Sequence, residues 1–256
     1  KGSSAYVRYL NRAMAFDWLY AYPGFDPALK DQVAADLVAG AERMLALPSL
    51  RDPTQASYHN HTTRELALAV FSLAAVEGHP SVETRAAPLR AQAWRAFDNL
   101  LEQTELVNPD GACHESTDYM RITWAPLAMM AEVRRTTTGE DPAARWSAFR
   151  NMGTTYLYKV LPDGSEARDD DNEYPHLDTR DNVVLGYAVH RFKDPYAAWL
   201  LQQRAWLPAE WANPVLQFLW NDPAVVPRDP ATTTETELPR HRHFRGVGHL
   251  VLRDGW

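Results

Sequence analysis

The sequence predicts an all-α fold of helical hairpins, followed by a short β segment at the C-terminal end. Three observations support this prediction. Apolar residues recur at helical spacing, proline or glycine turns separate the segments, and the only clear β pattern lies in the last residues. A chain of 256 residues is long enough for one large domain with a buried core, or for two small ones.

The predicted helices come in antiparallel pairs joined by short turns. Asp26-Pro27 is a typical helix start, and Pro48 ends the stripe of apolar residues that follows. Helices are predicted at about residues 4–22, 27–47, 63–77, 81–105, 115–137, 142–160, 179–190, 195–206 and 212–220. Their lengths are uneven and no sequence period is visible, which argues against a regular solenoid. Residues 1–220 are therefore predicted to form an incomplete (α/α) toroid around a central cleft.

The C-terminal part of the chain has a different character. Residues 221–243 contain four prolines and a threonine-rich run, which is typical of a linker. Residues 244–256 are apolar and β-branched and close on Asp254-Gly255, which predicts a strand. A lone strand cannot satisfy its backbone, so the sequence predicts the start of a truncated β-rich domain.

Composition excludes some classes of function. The hydrophobic fraction of 45% and the charged fraction of 23% are those of a globular protein. A net charge of -7 gives no basic field for nucleic acid, and no apolar run approaches the roughly 18 residues that span a bilayer. We therefore expect neither nucleic acid nor membrane as a partner. An anionic polymer remains compatible, because Arg64, Arg121 and Arg168 can form a local basic site.

A dense polar cluster, Tyr58-His59-Asn60-His61, precedes Arg64 and Glu65 where a loop becomes a helix. In one interpretation Asn60, or one of the following threonines, caps the helix and His61 is a bystander. In the other, the amide of Asn60 holds an anion and His61 exchanges a proton, with Glu65 orienting its ring from one helical turn away.

A second candidate stretch runs from Asp110-Gly111 to Tyr119. Asp110-Gly111 makes a turn, and Glu115 and Tyr119 are predicted one helical turn apart on the same face. Tyr119 then lies at the border between core and cleft. Either it is a packed aromatic residue with a hydrated hydroxyl, or it takes part in chemistry.

Metal sites are considered and not predicted. His59/His61 and His241/His243 share a zinc-like spacing, but the first pair lies at a helix start, where side chains two apart diverge. The acidic run at residues 169–173 lacks the glycine and spacing of a calcium loop. We expect no metal and no cofactor.

Several stretches together resemble the heparinase II/III-like polysaccharide lyases. Residues 14–20, with Trp18, resemble the Tyr-Asp-Trp-Leu segment of their first hairpin. Asn60-His61 resembles their Asn-His pair, and Asp110-Gly111 with Glu115 and Tyr119 resembles the segment carrying their catalytic tyrosine. Residues 244–256 are similar to the strand that opens their C-terminal β-sandwich.

The resemblance implies β-elimination on a uronic-acid polysaccharide such as alginate or a glycosaminoglycan. Asn60 and His61 would neutralise the uronate carboxylate, His61 alternatively acting as base, and Tyr119 would be the acid or the acid and base. Implied substrate-binding residues are Trp18, Tyr58, His59, Arg64, Glu115 and Arg121. The resemblance also implies a secreted or periplasmic parent protein whose β-sandwich domain is a partner of this region.

The chain departs from the family pattern at two points. His59 stands where many relatives have a second asparagine. Relatives also take a histidine or tyrosine from the β-sandwich, for which His241, His243 and His249 are the candidates here.

Two rival functions are kept. One is a glycoside hydrolase on the same fold, which needs two carboxylates flanking the bond, from Asp17, Asp110, Glu115 and Asp118. The other is a non-catalytic carbohydrate-binding or scaffold domain in which Tyr119 only stacks or packs.

Overall fold

The computed structural model describes residues 2–161, 165–167, 181–203 and 214–256, without the side chains of residues 2–8, 117, 118 and 214. These residues are mostly helical and include one two-stranded sheet. The helices are α1 (Gly2–Leu19), α2 (Pro27–Leu45), α3 (Asn60–Ala75), α4 (Glu83–Val107), α5 (Thr117–Thr138), α6 (Pro142–Arg145), α7 (Ser147–Lys159), α8 (Asn182–Phe192), α9 (Pro195–Gln202) and α10 (Pro214–Leu219). The strands are β1 (His241–Phe244) and β2 (His249–Leu252). The prediction of a helical protein with a short C-terminal β segment is confirmed.

Some sequence predictions fall outside the described residues. They are the turn at residues 162–164, the acidic run with Arg168, and the helix ends predicted at residues 179, 206 and 212. Among the described helices, none is long and apolar enough to cross a bilayer.

The chain divides into two compact units. The first unit comprises Lys1–Gln103 with Met129–Glu140, and the second comprises Thr104–Ala128 with Asp141–Trp256. Helices α4 and α5 each have residues in both units. The predicted boundaries at residues 220 and 243 remain predictions.

In the first unit, α3 packs against both α1 and α2. The core formed by these three helices is aliphatic at its centre and includes Leu37 of α2 with Leu66 and Leu73 of α3, all fully buried. Burying each such side chain stabilises the fold by about 1.5–3 kcal/mol. This packing fixes α3, and with it the polar residues at its first turn.

The second unit has an aromatic core. Trp124 of α5 contacts Phe149 of α7, which contacts Tyr187 of α8, which in turn contacts Trp220; the ring centroids of successive pairs are 6.0, 6.4 and 4.9 Å apart. Such edge-on arrangements are favourable beyond the area that they bury. These four rings are buried and are therefore part of the core of this unit.

The predicted helix at residues 142–160 is two helices, α6 and α7. Trp146 between them is extended, with φ -100° and ψ 124°. The carboxylate of Glu105 accepts hydrogen bonds from the hydroxyl of Ser147 and from the backbone N–H of Ala148, the latter at 3.0 Å. The first turn of α7 is thus capped by a residue distant in sequence, which local pattern cannot reveal.

The C-terminal β element is a hairpin, and the prediction of a lone strand is wrong. Strand β1 begins at His241, within the predicted linker, and pairs antiparallel with β2. The hairpin packs on α7, where the centroid of the Tyr158 ring lies 6.1 Å from that of Phe244 and 5.0 Å from that of Trp256. Arg253 donates to the carbonyl oxygen of Val160, which follows the last residue of α7. The hairpin is therefore an integral part of the second unit.

Candidate functional site

Helix α3 begins at the predicted polar cluster, three residues earlier than the sequence predicts. His59 is the N-cap: it is extended, and its Nδ1 accepts the N–H of His61 at 3.2 Å. The carbonyl oxygen of His59 accepts from both the N–H and the hydroxyl of Thr63, at 2.9 Å each. The expectation that Asn60 or a threonine caps this helix is wrong. Histidine is not a preferred N-cap residue, so no local pattern predicted this cap.

The imidazoles of His59 and His61 do not diverge as predicted. Their ring centroids are 5.4 Å apart and the ring planes differ by 19°, which is a stacked arrangement. The helical rule fails because His59 lies outside the helix in an extended conformation. Among the described residues, no group of three or more histidine, cysteine or acidic side chains is arranged to hold a metal ion.

Arg64 connects the two predicted functional residues of the first turn. Its Nη2 donates to the Oδ1 of Asn60 at 3.3 Å and approaches the Nδ1 of His61 at 3.1 Å. Asn60 is 4% exposed, whereas His61 is exposed to solvent. One guanidinium thus orients a buried amide and an exposed imidazole at a helix N-terminus, where backbone N–H groups favour anions.

The contact with Arg64 determines which nitrogen of His61 carries the proton. A guanidinium is only a donor, so the Nδ1 of neutral His61 must accept and its Nε2 must carry hydrogen. The solvent-facing nitrogen is therefore a hydrogen-bond donor. The amide of Asn60 is oriented in a similar way. Its Oδ1 accepts from Arg64, so its NH2 group, a donor, points away from Arg64.

Glu65 does not orient His61 as the helical spacing suggested. Its Oε2 accepts a hydrogen bond from the hydroxyl of Ser49 at 3.0 Å, which ties α3 to the turn after α2. The imidazole of His61 is instead held by Arg64 and by the stack with His59. The direction of the side chains at the first turn, and not their spacing alone, determines which residue contacts His61.

Two predicted sugar-binding aromatic residues of the first unit have different environments. Tyr58 is 7% exposed, and its backbone N–H donates to Gln103, so its ring offers little surface to a ligand. Trp18 is 57% exposed, but the neighbouring Phe16 contacts His79, which follows the end of α3. Because the 16 residues of α3 span about 24 Å, Trp18 lies towards the other end of that helix from Asn60.

Tyr119 lies in the second unit, in the first turn of α5, and is partly exposed. The predicted helical relationship between Glu115 and Tyr119 is wrong. Helix α5 begins at Thr117, and Ser116 before it has φ 93°, so no continuous helix joins the two residues. Glu115 instead lies close to Thr123, with its Oε2 3.5 Å from the hydroxyl oxygen.

Arg121, predicted to bind substrate, is 5% exposed and lies in a buried polar cluster. Its Nη1 is 3.8 Å from the Oδ2 of Asp181, which is fully buried. Tyr156 lies nearby: burial raises the pKa of its phenol well above the ordinary value, and the Asp181 carboxylate raises it further. Sequence reasoning missed Asp181 and Tyr156, because a buried tyrosine and an acidic residue beside an acidic run have no distinguishing local pattern.

The hairpin is close to the loop that precedes Tyr119. The Oδ2 of Asp110 accepts the N–H of Gly246 at 3.2 Å, and Gly246 packs on the backbone of Val107 and Asn108. His249 lies at this turn end of the hairpin, opposite Phe244, whereas His241 and His243 are exposed further along β1.

The carboxylates considered for hydrolysis have separate local environments where the structure describes them. Asp110 holds the hairpin, Glu115 lies beside Thr123, and Asp17 is exposed in the first unit. The side chain of Asp118 is outside the described residues.

Comparisons with known proteins do not identify the chain. No protein-family model matches it, and no curated protein matches it.

Proposed function

We propose that this chain is the helical region of a polysaccharide lyase that cleaves a uronic-acid polysaccharide by β-elimination. The observation that carries the proposal is the contact of Arg64 with both Asn60 and His61. It arranges donors at a helix N-terminus, which suits the carboxylate of a uronate. The proposal includes the resemblance to heparinase II/III-like lyases, the (α/α) toroid, and a secreted or periplasmic parent protein.

The chemistry requires a donor site of this kind. Removing the C5 proton of a uronate places negative charge on the adjacent carboxylate, and fixed donors that stabilise this charge lower the barrier. In the proposal, the NH2 group of Asn60 and the Nε2–H of His61 donate to that carboxylate. Arg64 supplies a positive charge behind them and holds both donors in place, which avoids reorganisation during the reaction.

The tautomer of His61 separates two roles that the sequence left open. A general base needs a free lone pair, but the outer nitrogen of neutral His61 carries hydrogen while Nδ1 accepts from Arg64. We therefore assign His61 to neutralisation of the carboxylate. Tyr119 is assigned both proton transfers: its phenolate takes the C5 proton, the C4–oxygen bond breaks, and the phenol returns the proton to the leaving glycosidic oxygen.

The first experiment distinguishes elimination from hydrolysis. The protein is incubated with alginate, heparan sulfate, chondroitin and hyaluronan while ultraviolet absorbance is followed. Elimination creates an unsaturated uronate that absorbs, whereas hydrolysis creates new reducing ends without that absorbance. Binding to one of these polymers without any product would favour the non-catalytic carbohydrate-binding function. The proposal would be contradicted if the protein neither bound any of these polymers nor released product from them.

Two substitutions at one position test the role of His61. His61→Gln keeps a donor but has no basic lone pair, and His61→Ala has neither. If His61 neutralises the carboxylate, the glutamine variant retains about tenfold more activity than the alanine variant. Equal loss in both variants would assign the base to His61. Full activity in Tyr119→Phe would contradict the assignment of Tyr119.

A further inference from the structure

In the first unit, a histidine side chain contacts a tyrosine through one ring nitrogen and an aspartate through the other. The hydroxyl oxygen of Tyr20 is 2.9 Å from the Nδ1 of His79. The Nε2 of His79 is 3.0 Å from the Oδ1 of Asp31, in an alignment outside hydrogen-bond geometry, so this second contact is electrostatic. Tyr20 directly follows α1, Asp31 lies in the first half of α2, and His79 lies in the turn after α3.

The charge of Asp31 indicates which nitrogen of His79 carries hydrogen. The carboxylate of Asp31 favours hydrogen on the Nε2 of His79, so the Nδ1 lone pair faces Tyr20 and accepts its hydroxyl proton. His79 is 6% exposed, and Phe16 packs against its ring with centroids 6.0 Å apart. Tyr20 is 36% exposed. The buried imidazole of His79 therefore accepts a hydrogen bond from the hydroxyl of Tyr20, which is partly exposed to solvent.

A cation lies beside the same phenol. The ammonium of Lys30 is 5.0 Å from the centroid of the Tyr20 ring and 5.4 Å from that of Phe25. This is a cation–π contact, in which the ammonium lies over the Tyr20 ring. The side chain of Tyr20 thus contacts both His79, through its hydroxyl, and Lys30, through its ring.

This group is separate from the candidate lyase site. His79 follows the C-terminal end of α3, and Asn60 begins that helix, whose 16 residues span about 24 Å. The inference therefore does not rest on the proposed function, and failure of either leaves the other standing.

We propose that Tyr20 is a nucleophilic site that accepts acyl groups from activated acyl donors. The phenolic oxygen attacks the carbonyl carbon while its proton passes to the Nδ1 of His79. The resulting imidazolium is stabilised by Asp31. The bond between the carbonyl carbon and the leaving group then breaks with its electron pair, and the leaving group takes the proton back from His79. The product is an O-acyl ester of Tyr20.

The test uses N-acetylimidazole on the folded protein, with the rate of acetylation of each tyrosine measured by mass spectrometry of peptides. Tyr22 is the internal control, because it is 60% exposed and its hydroxyl makes no hydrogen bond to the described residues. Exposure alone predicts faster labelling of Tyr22. The proposal predicts that Tyr20 is labelled about tenfold faster than Tyr22. Equal labelling, or faster labelling of Tyr22, would overturn it.

Two variants then test the relay. His79→Gln keeps a polar partner for the phenol but removes the base, and Asp31→Asn removes the charge that stabilises the imidazolium. Each is expected to lower the rate at Tyr20 about tenfold while the rate at Tyr22 is unchanged. The side chain of Asp31 is 59% exposed, so Asp31→Asn remains folded and keeps the test valid if His79→Gln does not fold. An unchanged rate at Tyr20 in Asp31→Asn would exclude the relay.

Discussion

The guanidinium of Arg64 approaches the Nδ1 of His61 at 3.1 Å, from one helical turn further along α3. The same nitrogen of Arg64 donates to Asn60 at 3.3 Å. Two neighbouring residues of the first turn therefore share one cation. The orientation of the Asn60 amide and the tautomer of His61 follow from that cation.

Arg64→Lys tests this arrangement. A lysine ammonium keeps the charge but lacks the planar fork, so we expect kcat/KM on the uronate polymer to fall about tenfold or more. The rate is measured from the absorbance of the unsaturated product. Arg51→Lys is the matched control, at an exposed arginine whose side chain makes no hydrogen bond or ion pair to the described residues, and should leave the rate unchanged. Equal rates for both variants would count against a role for Arg64.

His59→Ala tests the cap of α3. Removing an N-cap acceptor costs about 1 kcal/mol, so the free energy of unfolding should fall by this amount. His59→Asn supplies a preferred cap oxygen and should preserve or raise stability. Urea unfolding of the two variants measures the difference. If His59→Ala were as stable as the wild type, the Nδ1 contact with the N–H of His61 would contribute nothing.

Ser116→Gly tests the left-handed backbone before α5. Ser116 has φ 93°, a conformation that glycine adopts without strain. Relief of this strain should raise the free energy of unfolding by about 1 kcal/mol. Ser81→Gly, at an exposed turn position, should instead lower stability slightly, because glycine is more flexible in the unfolded chain. A loss of stability in Ser116→Gly would show that its side chain contributes more than the strain costs.

Asp194→Asn tests the effect of pH on the second unit. Burial raises the pKa of the Asp194 carboxyl, although N–H groups of Ala197 and Tyr196 partly oppose this. A carboxyl whose pKa is higher in the folded than in the unfolded state costs stability when ionised, and this cost disappears as pH falls through the folded pKa. Asparagine keeps the cap without the charge. The variant should therefore be more stable near neutral pH, with the gain vanishing in acid.

The measurement for Asp194→Asn is urea unfolding across this pH range. The control is Asp229→Asn, because exposed Asp229 caps the N–H of Ala231 in a similar way. We expect no comparable gain there. A gain for Asp194→Asn that persisted in acid would mean that ionisation is not its cause.

Gly246→Ala tests the docking of the hairpin. A Cβ at this position would clash with the carbonyl oxygen of Val107, so the turn must move away. We expect a loss of about 1–3 kcal/mol, with increased hydrogen exchange in β1 and β2. Gly255→Ala is the control, because a Cβ there meets no atom within 4 Å. Equal effects of the two substitutions would contradict tight packing of Gly246.

The sequence predicted the helices well where local signals define them. Asp26-Pro27 starts α2 as expected, and the side chain of Asp26 accepts the N–H of Leu29. The start of α3 and the break at Trp146 were missed, because one depends on a histidine cap and the other on Glu105, which is distant in sequence. Local patterns carry information about local bonds, and these two features depend on unusual or distant partners.

The candidate site was predictable in its residue types but not in its contacts. Asn60, His61 and Arg64 could be selected as a polar cluster, yet the partner of His61 was expected to be Glu65. The buried group around Asp181 gave no signal, since burial depends on how α5, α7 and α8 pack. Periodicity predicts which face of a helix is apolar, but not which polar group lies opposite.

The contacts of the hairpin also affect the order in which the protein folds. The bonds from Tyr158 to Pro239, from Arg253 to Val160 and from Gly246 to Asp110 join residues 81, 93 and 136 positions apart. In the first unit, the contact between Tyr20 and His79 spans 59 positions. Closing long loops costs entropy before any contact compensates for it, so non-local pairings slow folding. We expect the first unit to fold early. The carbonyl oxygen of Val160 at the end of α7 is expected to gain its bond from Arg253 only after the hairpin has formed and packed against α7.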